Sequence, residues 1–122
     1  MIDHVIIGVT DIESAKKFYS AALEPLGYTL AFDDDWGGGF KNAQGSPDFW
    51  IRLEKTATPV HVAFHAEDRA LVSAFYAAAI AAGGKDNGAP GLRLHYHENY
   101  YGAFVLDADG HTVEAVCHKP EA

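Results

Sequence analysis

The chain has one cysteine, Cys117, among its 122 residues. A lone cysteine excludes an internal disulfide and fits a reducing compartment. No apolar run approaches the roughly 18 residues of a membrane-spanning helix. The opening Met1-Ile2-Asp3-His4 has neither the basic nor the long apolar stretch of a secretory leader, so the expected location is cytoplasmic. Positive charge is scarce: nine Lys and Arg stand against seventeen Asp and Glu, for a formal net charge of −8. That balance disfavours nucleic acid and membrane surfaces as partners. Solubility alone accounts for the acidity; a preference for cationic or neutral small molecules is the sharper alternative. Low-complexity and linker segments are also missing.

Apolar residues make up 48% of the chain and charged ones 21%, which is ordinary for a globular domain large enough for a real core. The informative feature is a repeat. Shifted by 57 positions, His4-Val5 falls on His61-Val62, Asp11 on Asp68, Phe18-Tyr19 on Phe75-Tyr76, Ala21-Ala22 on Ala78-Ala79 and Gly27 on Gly84. These are 8 identities in 24 ungapped positions. A repeat of this length is a supersecondary unit, and two copies imply a pseudo-twofold domain. Module one spans about 1–57 and module two about 58–122.

Residues 2–9 alternate as a strand, with Val5, Ile7 and Val9 opposite His4 and Ile6. Thr10 and Glu13 resemble a capping box. Ala15, Phe18, Tyr19, Ala22 and Leu23 then recur at helical spacing, until Pro25 and Gly27 end the helix. In the second copy 60–66 reads as a strand and Asp68 as an N-cap. Val72, Phe75, Tyr76, Ala79 and Ile80 form the helical stripe before Gly83-Gly84. Each helix should cover the strand face opposite the histidines. Three shorter strands follow in each copy: 28–32, 39–41 and 49–53, then 92–96, 103–106 and 112–118. Gly37-Gly38-Gly39 reads as a hairpin turn, since no helix or Lys-Ser/Thr follows to make a phosphate cradle. Asp109-Gly110 reads as a second hairpin turn. The expected fold is α+β: two βαβββ modules forming a cupped mixed sheet with helices outside and a cleft inside.

This pattern resembles the vicinal oxygen chelate superfamily, which includes glyoxalase I, extradiol dioxygenases and the fosfomycin and bleomycin resistance proteins. The carriers are Asp3-His4-Val5, Phe18-Tyr19, His61-Val62-Ala63-Phe64 and the closing 107–116 segment. Asn87-Gly88-Ala89-Pro90-Gly91, His95-Tyr96-His97 with Asn99-Tyr100-Tyr101, and Glu114-Ala115-Val116-Cys117-His118 further resemble a subgroup of small glyoxalase-like bacterial proteins. The resemblance implies metal ligands on the first and last strands of each copy. Carried over, these are His4, His61 and Glu114, which suit zinc, nickel, manganese or iron. Alternation places Glu114 on one face with Thr112 and Val116, and a mid-strand carboxylate there is costly unless paired or cation-bound.

The first copy departs from glyoxalase I. Trp50 stands near the position where that enzyme carries Glu or Gln, with Arg52 and Glu54 on its face but displaced along the strand. Two His and one Glu also resemble the extradiol dioxygenase triad. Against that family's further motif, His97 lies upstream as its catalytic His would, Phe104 replaces a Tyr and Ala108 a Pro. Glu114 and His97 are thus the candidate catalytic residues. Trp50, Arg93, His95, Tyr100 and Tyr101 are candidates for substrate binding: Arg93 for a carboxylate, His97 or a tyrosine for proton transfer. Alternation would put Arg93, His95 and His97 on one face. The competing reading of this segment is an edge strand and loop with solvated polar residues. Trp50 either stacks on a planar ligand or plugs the cleft. Cys117 reads as a small buried apolar residue, and His65 and His118 as exposed strand-end residues on the cleft side.

Two functions remain open. One is a glyoxalase- or dioxygenase-like small-molecule metalloenzyme of lyase, isomerase or ring-cleaving type. The other is a metal-free binding protein that sequesters a drug or metabolite, as bleomycin resistance proteins do. The resemblance implies a homodimer and a small-molecule ligand in either case.

Overall fold

The computed structural model describes residues 1–121. The first module runs β1 (Val5–Val9), α1 (Ile12–Leu23), a 3-10 turn (Glu24–Leu26), β2 (Thr29–Asp34), β3 (Gly37–Lys41) and β4 (Phe49–Leu53). The second runs β5 (His61–His65), α2 (Arg69–Ala81), β6 (Lys85–Asp86), β7 (Gly91–Leu92), β8 (Tyr101–Leu106) and β9 (Thr112–Cys117). The α+β reading with two modules holds; the first is βαβββ, and in the second the strand expected first after the helix is replaced by two short ones, β6 and β7, both on β8. The strands divide into two mixed sheets, ordered β1-β4-β3-β2 and β5-β9-β8-β6, with β7 also on β8. In each, the first strand pairs parallel with the last.

Each helix covers one face of its own sheet, and α1 also packs on α2. Phe18, Tyr19, Ala22 and Leu23 from α1 join Val72, Phe75 and Ala79 from α2 in one core with Ile7, Val9, Ile51, Val113 and Ala115. Each large apolar side chain so buried contributes about 1.5–3 kcal/mol. His61 and His65 face away from this core, as expected.

Three local expectations are corrected. Asp11, not Thr10, caps α1, its carboxylate accepting from Ser14 N–H at 3.1 Å. Thr10 is drawn off by the other module: its N–H and hydroxyl donate to Asp109 at 3.1 and 2.6 Å. Gly37, Gly38 and Gly39 lie within β3, and the turn is Asp35-Trp36. The glycines serve close approach, since an added Cβ at Gly37 would sit 2.8 Å from Ile51 O and one at Gly39 2.8 Å from the Trp50 ring. Finally, the strand expected over 92–96 stops at Leu92, and a turn closed by Tyr96 N–H to Arg93 O replaces the rest. Arg93, His95 and His97 therefore do not alternate along a strand. Asp68 does cap α2, accepting from Leu71 N–H at 2.8 Å.

The modules are joined through buried Asp107 and His111. Asp107 accepts from Tyr19 OH at 2.5 Å and from the N–H groups of Asp109 and His111. His111 Nδ1 accepts from Val60 N–H, so the proton sits on Nε2 and is donated to Gly8 O at 2.7 Å. Burial first, then Asp107, holds the Tyr19 pKa far above the ordinary tyrosine range, which keeps its hydroxyl a donor. Its repeat partner Tyr76 donates to exposed Asp86 instead. Tyr19→Phe should therefore lower unfolding free energy by about 1.5–3 kcal/mol in urea titrations, because it removes a buried donor to a carboxylate. Tyr76→Phe should change it by about 0.5 kcal/mol or less.

Candidate functional site

Strand register decides which residues share a face. In the first sheet Ile6 pairs with Trp50, and Trp50 with Gly39. In the second, Ala63 pairs with Glu114, and Glu114 with Phe104. Ile6 and Ala63 are repeat partners, 57 positions apart. Trp50 therefore occupies the register position of Glu114. Both lie on the open faces, opposite the helices.

The two open faces differ in chemistry. On the first, the indole of Trp50 lies against Gly39, where no Cβ intervenes. Phe32 packs on it with ring centroids 5.4 Å apart, and Trp36 on Phe32 at 6.1 Å. Phe32, Trp36 and Ile6 are all exposed. Sequence alone singled out Trp50 and missed Phe32 and Trp36, because the β2–β3 hairpin carries them there only through the pairing of β3 with β4. The neighbouring acidic run is already engaged. Asp33 lies 2.6 Å from the Nζ of buried Lys16 and its hydrogen bond raises that lysine's pKa, while the Asp34 side chain accepts from Asp35 N–H.

On the second face Glu114 is only 2% exposed. Its Oε1 lies 2.6 Å from His61 Nε2, and Oε2 accepts from Tyr100 OH. Burial, then the bond to Glu114, pushes the Tyr100 pKa above the usual tyrosine range, so the phenol stays protonated and donates. Phe104, also buried, lies beside this pair with its ring centroid 6.0 Å from that of His61. His97 Nε2 bonds His118 Nδ1 at 2.8 Å, and its ring lies 5.4 Å from that of Tyr100. His65 and His118 are exposed at the strand ends, as expected, and Cys117 is buried.

The remaining candidates make no hydrogen bond to Glu114. Arg93 donates to Ala89 O and Gly91 O and sits over the Phe104 ring, so its guanidinium holds the 87–93 loop. His95 packs on Tyr96. Tyr101 pairs with Cys117 on the helix side of the sheet, under Arg69. His4, just ahead of β1, bonds Asp3 at 2.7 Å and makes no bond to His61 or Glu114.

One imidazole nitrogen and one buried carboxylate are two of the donors that a divalent-cation site needs. Among the described residues, three metal-competent side chains bring their ligand atoms within 4.8 Å of one another at Asp107, Asp109 and His111. Both His111 ring nitrogens and both carboxylates there are already spent on the bonds described above.

The Glyoxalase/Bleomycin resistance protein/Dioxygenase superfamily model matches residues 1–115. The chain belongs to this superfamily. A glyoxalase/bleomycin resistance protein from Albidiferax ferrireducens T118 is 30% identical, with a TM-score of 0.81 over 97% of this chain and 98% of that one. A glyoxalase-related enzyme from Fulvimarina pelagi is 17% identical, with a TM-score of 0.74 over 96% and 87%. A genomically encoded fosfomycin resistance protein from Listeria monocytogenes is 15% identical, with a TM-score of 0.73 over 98% and 93%. The last two share the fold. No curated protein matches the sequence. The superfamily thus includes enzymes and resistance proteins.

A carboxylate buried for chemistry should contribute little to stability. His61 and Tyr100 keep access to water, so Glu114→Leu should change unfolding free energy by about 1 kcal/mol or less, or raise it. Chemical denaturation of the metal-free protein measures this. A loss of about 3 kcal/mol or more would mark Glu114 as structural.

Proposed function

We propose that this protein is a cytoplasmic small-molecule metalloenzyme of lyase, isomerase or ring-cleaving dioxygenase type. Its divalent metal would be held by His4, His61 and Glu114. The observation that carries this is the buried Glu114 carboxylate, 2.6 Å from His61 on a sheet face free of helices. The ion would act as a Lewis acid on a carbonyl or enediolate oxygen, and iron would add dioxygen chemistry. His97 would serve as the general acid or base.

His4 makes no bond to this pair within one chain, so we further propose a homodimer in which His4 comes from a second copy. Two features support it. His4 and His61 are repeat partners on opposite modules. The open face of the first module also exposes Ile6, Phe32, Trp36 and Leu53, an apolar surface suited to burial against another copy. A second reading has its own support. The aromatic row of Trp50, Phe32 and Trp36, standing where a second acid would be, favours a metal-free protein that stacks a planar ligand.

Metal analysis of untagged protein offered nickel, zinc, manganese or iron(II) tests the two. The enzyme reading expects about one ion per chain, lost in Glu114→Ala. No uptake of any ion would leave the binding-protein reading. Mixing His4→Ala with His61→Ala chains tests the shared site, since heterodimers would regain about one site per dimer that neither variant has alone.

A further inference from the structure

The segment 93–100 has no regular strand or helix, and its Tyr100 reaches the open face of the second sheet. Its ends meet, Arg93 N–H donating to Tyr100 O at 2.7 Å, in the manner of a compact surface loop closed at its base. Three side chains hold it to the sheet, one being Arg93, whose guanidinium lies over the Phe104 ring of β8. Tyr100 OH donates to Glu114, and His97 bonds His118 just beyond β9. Apolar packing adds little, for Leu94 and Tyr96 are 68% and 57% exposed. A segment held this way opens at low cost compared with the core.

The histidine bond has a fixed direction. Asn99 N–H donates to His97 Nδ1 at 3.1 Å, so Nε2 carries the proton and donates to His118 Nδ1. With the nitrogens 2.8 Å apart, ring centroids 5.0 Å apart and planes 27° apart, the rings meet end to end. Their nitrogens face each other instead of converging on a third point, so the pair is a hydrogen bond and not a pair of metal ligands. Glycine at position 102 eases the approach of Tyr100 to Glu114. A Cβ there would stand 3.2 Å from the Tyr100 ring and 3.4 Å from Glu114 Oε2.

We propose that residues 93–100 are a lid over the His61–Glu114 pair, with Tyr100 as its bolt and His97–His118 as its latch. The lid rests on the metal site proposed above. Tyr100 holds the carboxylate oxygen that His61 leaves free, the atom an incoming cation needs. Entry requires Tyr100 to let go, and Tyr100 moves with the loop that His97 pins. His118, which bonds neither His61 nor Glu114, therefore controls access to both.

The test uses untagged full-length protein, nickel(II) as the probe, and the variants Tyr100→Phe and His118→Ala. Two quantities are read: the rate of nickel uptake and hydrogen–deuterium exchange of residues 93–100 in the metal-free protein. The lid expects about tenfold faster uptake in Tyr100→Phe, the loss of one competing hydrogen bond. It expects faster uptake in His118→Ala as well, and faster exchange in both. Unchanged uptake and exchange in both variants would overturn it. Weaker nickel binding in Tyr100→Phe would also overturn it, making Tyr100 a ligand. If no form binds nickel, the metal site fails, and exchange alone decides the lid: faster in both variants supports it, unchanged refutes it.

Discussion

The buried Asp107 carboxylate is the constraint on which the arrangement of the two modules depends. It takes the Tyr19 hydroxyl from α1 and two N–H groups from its own turn. His111 then reaches Gly8 on β1, and Asp109 takes Thr10. Four contacts of one hairpin therefore grip the end of β1, the residue after it and Tyr19 in the second half of α1. A buried carboxylate is stable only with donors on its oxygens, so the turn and the first module must come together for either to be satisfied. With the helix faces committed to the common core, both open faces look outward.

Those outward faces have diverged. The repeat preserves strands, helix stripes and histidine positions, since these serve packing and backbone pairing in both copies. It does not preserve the tyrosines' partners: Tyr19 is buried against Asp107, and Tyr76 meets exposed Asp86. Nor does it preserve the glycines' reasons. Gly27 is needed for its φ of 85°, whereas a Cβ at Gly84 would meet Val105 at 2.4 Å. At the centre of the open faces the difference is largest, with Trp50 in one register position and Glu114 in the other. One half carries an aromatic surface and the other a carboxylate with its histidine.

Local signals in the sequence were enough for the modules, the Asp68 cap, the helix stripes and the outward His61. The resemblance to glyoxalase I, not the repeat offset, set Trp50 near the counterpart of Glu114, and strand register bears this out. What was hidden is long-range. Thr10 has every local qualification for a cap and loses the role to a contact 99 residues away. Three glycines in a row look like a turn until β4 and the Trp50 indole press against them. The polar string from Arg93 to Tyr101 looks like one wall. Tertiary bonds split it into a guanidinium that holds its own loop, a phenol on Glu114, a histidine on His118 and a tyrosine on the far side of the sheet.

The same divergence explains why one face needs a roof and the other does not. A carboxylate in the middle of a strand pairs poorly with open water and apolar neighbours together, and segment 93–100 supplies it with a hydroxyl donor. The aromatic row asks for no donors; its cost is apolar area in water, which a partner surface or a planar ligand removes. The first face is thus left apolar and exposed, while on the second the carboxylate finds its donors within the chain. In the proposed metalloenzyme, a pair that admits a cation and a substrate would gain from a cover held by few bonds. Tyr100 and His97 would form such a cover, the one satisfying Glu114 and the other holding the loop to His118.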